Sequence, residues 1–195
     1  MEIKTKRFLL RDFVPEDEAA FEAYHADPRS LEFYEAGEAT PRHAKELLQL
    51  FNTWATERPR RNYQLAIIRR EEAQTLYGCC GLRSAGSEPG KAELGIELAP
   101  GYWGRFGYAI EVLRALVEFG FRDLKLREIY GSTVSANARI ARLVSSFGAV
   151  AAARPTPAWM ADRGWSQIEW LVTRGQWESG RLALMRSRLP IRDNS

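Results

Sequence analysis

Histidine and cysteine are scarce in this chain of 195 residues, with two of each. The cysteines, Cys79 and Cys80, are adjacent. Neighbouring strand residues point to opposite faces, so a disulfide between them would be strained. His25 and His43 stand far from both cysteines in sequence, and no metal-ligand spacing is present. Packing is the expected role of the thiols, and no metal is expected. Long apolar runs are missing too. No stretch approaches about 18 consecutive apolar residues, which excludes a membrane-spanning helix. The opening MEIKTKRFLLRDF scatters charges where a secretion signal carries an apolar core, so a cytoplasmic protein is the expectation. Charge of one sign is not concentrated either. The formal net charge is +3 with acids and bases interleaved, which gives no footing for a nucleic-acid partner. The basic concentrations are Arg58, Arg60 and Arg61, and the tail residues Arg181, Arg186, Arg188 and Arg192. Solvated faces explain both, with an anionic ligand or an RNA surface as the alternatives.

What is present suits one globular domain. Apolar residues make up 45% and charged residues 27% of the chain, ordinary shares for a soluble core. Residues 5–13 read as a first strand with Phe8 and Leu10 on one face. Pro15 and the acids after it open a helix that places Ala20, Phe21 and Tyr24 inward and stops at Asp27-Pro28. A second helix is expected from Thr40-Pro41 to Thr56, with Thr40 as N-cap and Leu47, Leu50, Phe51 and Trp54 as its buried stripe. Strands are expected at 63–69, 75–82 and 92–98, the last two joined by a hairpin over SAGSEPG. A strong helix follows over 107–122, with Glu111, Arg114, Glu118 and Arg122 on its outer stripe. Then come a strand at 128–134, a helix at 137–147 ended by Gly148, strands at 150–159 and 165–173, and a tail helix from Gln176 to about 189. Hairpins first, then strand–helix–strand–helix, imply an α+β fold with a mixed sheet.

The chemistry points to ELGIELAPGYWGRFGYAIEVL, residues 93–113. A strand ends at Leu98, and Gly104-Arg105-Phe106-Gly107-Tyr108-Ala109 leads into the strong helix. A helix start offers backbone N–H groups without internal partners and the positive end of the dipole. Glycines there remove the Cβ atoms that would hold phosphates off the backbone. Each backbone–anion contact is worth about 1.5–3 kcal/mol, so several could anchor a diphosphate. The dinucleotide G-x-G-x-x-G turn and the GK[ST] phosphate loop are both absent. Glycines that merely make a turn, with Trp103, Phe106 and Tyr108 as packing, explain the segment equally well on composition alone.

The segment resembles the [Q/R]-x-x-G-x-[G/A] acyl-CoA signature of the GNAT N-acetyltransferase superfamily, and more narrowly its RimJ/RimL-like branch of ribosomal-protein N-terminal acetyltransferases. Further pieces fall in the same order: KTKRFLLRDFVPEDEAAF, Tyr77-Gly78-Cys79-Cys80-Gly81-Leu82, Ala92 to Leu98 with Pro100 and Tyr102-Trp103-Gly104, Asn137 with Ser146-Phe147-Gly148-Ala149, and Gly164-Trp165 through Trp177. The match spans about residues 3–178. It departs from the branch in one extra residue between Pro100 and Gly107, taken up by Phe106, so that Gly104 occupies the polar first position. Ile140 stands where a serine is usual, Ser146 where a base is, and Ala149 where the last Phe is, so the positions that would carry a conventional proton donor to the thiolate are not matched.

The resemblance implies a GNAT-like mixed, centrally splayed sheet of about seven strands flanked by helices, in a domain over 1–178 with a helical tail over 179–195. It implies acetyl transfer from acetyl-CoA to a primary amine by direct attack in a ternary complex, without a metal. The acceptor would be a protein N-terminus or a small amine such as a polyamine or aminoglycoside, with a homodimer as one assembly. Coenzyme contacts would come from Ile96, Leu98, Trp103, Gly104, Arg105, Phe106, Gly107, Tyr108, Ala109, Asn137 and Arg142. Asn137 also suits a helix N-cap, and the two arginines suit a plain charged surface. Glu93 and Glu97 share a strand face with Gly95, and Glu93 is the expected general base, against a solvated strand face. Phe33, Tyr34 and Trp54 lie in the segment that usually walls the acceptor. Two other classes stay open: a non-catalytic acyl-CoA sensor, motivated by Ile140, and a ribosome- or RNA-associated module, motivated by the basic tail.

Overall fold

The computed structural model describes residues 1–35, 40–72, 75–105 and 107–186, without the side chains of residues 41 and 181–186. Eight strands form one sheet: β1 (Glu2–Lys4), β2 (Phe8–Arg11), β3 (Asn62–Arg69), β4 (Leu76–Arg83), β5 (Lys91–Leu98), β6 (Glu128–Val134), β7 (Val150–Arg154) and β8 (Gln167–Thr173). Their order is β1-β2-β3-β4-β5-β6-β8-β7. The helices are α1 (Glu18–His25), α2 (Pro41–Thr56), α3 (Tyr108–Arg122), α4 (Ala138–Ser145), α5 (Ala158–Ala161) and α6 (Arg174–Arg186).

From β1 to β5 the sheet is an antiparallel meander. The step to β6 is the parallel one, because α3 carries the chain back across the sheet between them. Only Lys91, Ala92 and Glu93 pair across this joint, with Glu128, Ile129 and Tyr130. Beyond Glu93 the two strands separate. The sheet is therefore splayed at its centre, and among the described residues one edge of β5 from Leu94 to Leu98 has no strand paired to it.

Two apolar layers cover the sheet. Phe8, Leu10, Leu65, Leu82, Leu94 and Ile129 pack with Val112, Leu116 and Phe121 of α3 on one face. On the other, Phe21 and Tyr24 of α1 and Leu48 and Phe51 of α2 pack on Ala66, Ile68 and Cys79. The adjacent cysteines divide between the layers, Cys79 in one and Cys80 in the other, as strand alternation requires.

Several expectations are corrected. The strand expected over 5–13 is shorter, Phe8–Arg11, and a strand at Glu2–Lys4 precedes it: the Thr5 N–H donates to the Phe8 carbonyl and Thr5 Oγ1 accepts from the Phe8 N–H, folding a tight turn that makes β1 and β2 a hairpin. With that hairpin the sheet has eight strands among the described residues, in line with the mixed sheet of about seven that was expected. The strand expected to reach residue 159 ends at Arg154, since Pro155 and Pro157 cannot extend a ladder. On α2 the buried positions are Ala44, Leu48 and Phe51, while Leu50 is 40% exposed, a face turned by about one residue. Ala20 is exposed on α1, where His25 is buried instead. The expected end of the tail helix, with Arg188 and Arg192, lies outside the described residues.

Candidate active site

Gly107 sets where α3 begins. It sits at φ +69° and ψ +28°, the left-handed region, in the N-cap position. The Tyr108 N–H donates to the Arg105 carbonyl at 3.0 Å, and the Glu111 N–H returns to the Gly107 carbonyl at 3.0 Å. Between them, the N–H groups of Ala109 and Ile110 lie in the first turn, where a helix offers no internal partner. A Cβ added at Gly107 would meet no heavy atom within 4 Å. The glycine is thus required by the hand of the backbone, and the space above it is open.

That space belongs to a cleft of about 680 Å³ where β5 and β6 part. Glu93, Ile96, Leu98, Trp103, Gly104, Arg105, Gly107, Tyr108, Ala109, Asn137 and Arg142 all line it, and Phe106 lies outside the described residues. A more open recess of about 1230 Å³ lies at the far end of α3, around Met1, Leu124 and Trp177, and holds none of them.

The lining side chains differ in what they can offer. Trp103 donates its indole N–H to the Leu98 carbonyl at 2.5 Å, and the Arg139 guanidinium covers its ring at 4.0 Å. Tyr108 is buried against Phe8, ring centroids 5.1 Å apart, and its hydroxyl accepts from Arg69 at 2.9 Å. Its side chain is packing. Asn137 caps α4, its Oδ1 accepting the Ile140 N–H at 3.2 Å. Arg142 is exposed, with Nε donating to the Ala138 carbonyl at 3.3 Å.

Two carboxylates from β5 enter the cleft. Glu93 is paired with Arg83, whose Nη2 lies 3.2 Å away and whose Nη1 reaches Gln64 Oε1 at 3.3 Å. Glu97 instead collects uncharged groups. Tyr34 donates its hydroxyl to Oε1, Tyr24 Oη lies 3.4 Å from Oε2, His25 Nε2 lies 3.5 Å from Oε2, and Cys79 Sγ is 4.0 Å away. Burial pushes the Tyr24 hydroxyl well above its ordinary range and the Cys79 thiol up to about 12, in both cases reinforced by the nearby Glu97 charge. Gly78 brings β4 this close: a Cβ there would lie 2.1 Å from the Glu97 carbonyl oxygen.

Phe33 and Tyr34 wall the cleft, with Phe33 edge-on to Trp165 at 5.7 Å and Arg163 donating to the Tyr34 carbonyl at 2.9 Å. Trp54 does not reach it and packs on Phe51 at 5.7 Å. Sequence reading missed Arg83, Arg139 and the ring of groups around Glu97. The one available signal was strand alternation, which put Glu97 on the face of Glu93.

Comparison with known proteins shows the family and the fold. Residues 7–150 match the family described as Acetyltransferase (GNAT) domain. An uncharacterized N-acetyltransferase p20 of Bacillus licheniformis is 27% identical over 143 residues, 73% of this chain and 78% of that protein. Solved structures share the fold at lower identity. A GNAT-family acetyltransferase from Bacillus anthracis aligns with a TM-score of 0.73 at 20% identity, covering 89% of this chain and 98% of that one. Spermidine N-acetyltransferase from Vibrio cholerae, solved with CoA and spermine, gives 0.69 at 16%, covering 88% and 98%. Ribosomal-protein-S5-alanine acetyltransferase from Vibrio fischeri gives 0.70 at 15%, covering 91% and 98%.

Proposed function

This chain belongs to the GNAT acetyltransferase family, and from that premise we propose that it moves an acetyl group from acetyl-CoA to a primary amine, by direct attack with both substrates bound. The observation that carries the reading is the left-handed Gly107 start of α3, opening into the same cleft as the unpaired edge of β5. One supplies amides and a positive dipole for a diphosphate. The other supplies main-chain groups at the depth where a thioester would lie.

The residues present fit such a ligand. The open space over Gly107 leaves room for phosphate oxygens against the Gly107, Ala109 and Ile110 amides. Arg105 and Arg142 line the same cleft and have charge to offer the phosphates. Asn137, already committed at Oδ1 to capping α4, has its amide nitrogen to offer the pantetheine arm. Ile96 and Leu98 form the half-buried apolar floor. Acetyl-CoA supplies the activated thioester.

The acceptor class is narrower than "any amine". The relatives of known fold acetylate, by their names, spermidine and an alanine of ribosomal protein S5. We assign this chain an aliphatic amine of that kind, a polyamine or a protein N-terminus, the latter in keeping with a RimJ/RimL-like branch. Thiol release from acetyl-CoA tests it, measured with spermidine, an aminoglycoside, and peptides beginning with Ala, Ser or Met. Amine-dependent release with at least one class is expected. Binding of acetyl-CoA without release with any of them would turn the reading toward a sensor.

A further inference from the structure

The acceptor side of the cleft carries an arrangement that coenzyme binding does not use. His25 is 7% exposed and clamped between rings, 4.1 Å from Phe21 and 4.3 Å from Tyr24 by centroid, so it cannot swing. Its Nδ1 lies 3.0 Å from the Phe21 carbonyl, which only accepts, so Nδ1 carries a proton. Burial holds the imidazole below its ordinary range, against the pull of the Glu97 charge. A neutral ring with Nδ1 protonated has a bare lone pair on Nε2. That atom is buried without a hydrogen-bond partner, and Glu97 Oε2 faces it at 3.5 Å. Two acceptors oppose each other with no proton between them.

Resting on the acetyl-transfer reading above, we infer that Glu97 and His25 form the proton-accepting pair of the acceptor subsite: Glu97 receives the ammonium of an aliphatic primary amine, and His25 Nε2 shares the proton it gives up. The other groups facing Glu97 are the hydroxyls of Tyr24 from α1 and Tyr34 from the following segment and the thiol of Cys79 from β4, with burial raising Tyr24 and Cys79; His43 on α2 acts on His25 from further off. Glu93, four residues back on the same strand face, is engaged by Arg83. Among the described residues no arginine or lysine pairs with Glu97, so its charge awaits a cation from outside the chain. An ammonium fits. Its proton passes to Oε2 and is held between Oε2 and Nε2, and the freed nitrogen lone pair forms the C–N bond to the thioester carbonyl carbon. The C–S bond breaks with its electron pair on sulfur, the second nitrogen proton goes to that thiolate, and the proton on the pair returns to solvent. Amide, coenzyme thiol and one proton balance the step. Glu97 is the catalytic residue, and His25 is a positioning residue that acts through it.

The first half of the test requires no acceptor. With two histidines in the chain, His43→Gln assigns the 15N spectrum, and His25 is expected as the neutral Nδ1–H tautomer at pH 7.5. An imidazolium or an Nε2–H tautomer overturns the inference. For the second half, thiol release with spermidine and with the Ala-, Ser- and Met-initiated peptides is compared in wild type and variants. Glu97→Gln is expected to lower kcat/KM for the amine by about 100-fold or more, with acetyl-CoA affinity by calorimetry unchanged. His25→Phe, which keeps the stacking, is expected to lower kcat, leave KM for acetyl-CoA alone and shift the acid limb of the pH profile. Glu97→Gln retaining near-wild-type turnover, or Glu93→Gln proving the more damaging change, overturns the assignment while leaving acetyl transfer intact. Wild type that acetylates the aminoglycoside but none of these probes overturns the acceptor class, and wild type that binds acetyl-CoA but acetylates no amine of the panel overturns acetyl transfer in favour of a sensor, and this inference with it. Wild type that binds no acetyl-CoA removes the underlying reading as well.

Discussion

Glu111, in the first turn of α3, reaches back to Arg7: Oε1 accepts the Arg7 backbone N–H at 2.7 Å and Oε2 accepts its guanidinium Nε at 2.6 Å. Thr5 adds its hydroxyl to Oε1 at 2.6 Å. The acid expected on the outer stripe of the helix ties it to the turn between β1 and β2. Glu118 and Arg122 keep the expected i, i+4 pair at 2.7 Å. The anchor matters because it lies one turn from Gly107, so it holds the amides of the candidate coenzyme turn against the sheet.

Loss of this anchor is expected to cost stability. Burial alone would raise the Glu111 carboxyl, but Thr5 and Arg7 outweigh it and hold it below the usual carboxylate range. A group lowered in the fold binds more protons when unfolded, so stability rises with pH across the interval. The contribution is present above the ordinary glutamate value near 4.5 and is lost as pH falls through the lower folded value. Glu111→Ala should cost about 2–3 kcal/mol at pH 7 by urea unfolding, and the difference from wild type should shrink toward pH 3. An unchanged difference at low pH would contradict the assignment.

At Gly107 the backbone hand and the ligand act together. Gly107→Ala adds left-handed strain of about 1–2 kcal/mol, and Gly107→Asp also brings a negative charge to the place assigned to phosphate. Calorimetry should show acetyl-CoA affinity reduced for the first and lost for the second, with both variants folded by circular dichroism. Unchanged affinity in Gly107→Asp would count against the turn.

The thiols are expected to be inert. Cys79 and Cys80 are 3% and 0% exposed, and burial pushes Cys79 up to about 12 and Cys80 well above its ordinary value. At pH 8 only about one Cys79 in ten thousand is thiolate. Titration with a disulfide reagent should find no reactive thiol in the native protein and two after unfolding. Fast reaction of the folded protein would contradict this burial.

Gly78 should tolerate no side chain. Its missing Cβ is what lets β4 lie against the Glu97 backbone. Gly78→Ala should cost about 1–3 kcal/mol in a thermal or urea transition and lower turnover through displacement of Glu97. A variant as stable as wild type would contradict that contact.

Local signals and distant ones were not equally legible. Thr40 and Asn137 cap α2 and α4 as their residue types suggest, accepting from His43 and Ile140 three residues on. The divergence of β5 from β6, whose paired residues stand 37 apart, was expected from the family resemblance alone, whereas the helix start at Gly107 and the hairpin between β4 and β5 follow patterns of short range. The ring around Glu97 does not. Tyr34 and Tyr24 stand 63 and 73 residues from it in sequence; the packing of α1 on β4 brings Tyr24 there, and the segment after α1 brings Tyr34. Tyr24 on a helix reads as packing until the carboxylate beside it is seen, and His25, though at i+4 from Phe21 on the inward stripe, is a polar residue type that apolar periodicity does not count. Arg83 is likewise invisible as the partner of Glu93 until the β4–β5 register sets Arg83 opposite it. The β1–β2 turn escaped notice because a threonine, and no glycine or proline, makes it.

The most direct test is a crystal structure of the protein soaked or grown with coenzyme A. The diphosphate should lie against the amides from Gly107 to Ile110, with the pantetheine arm running along the open edge of β5 toward Glu97. Coenzyme held in another part of the molecule, with the space over Gly107 filled by the protein's own side chains, would contradict the account.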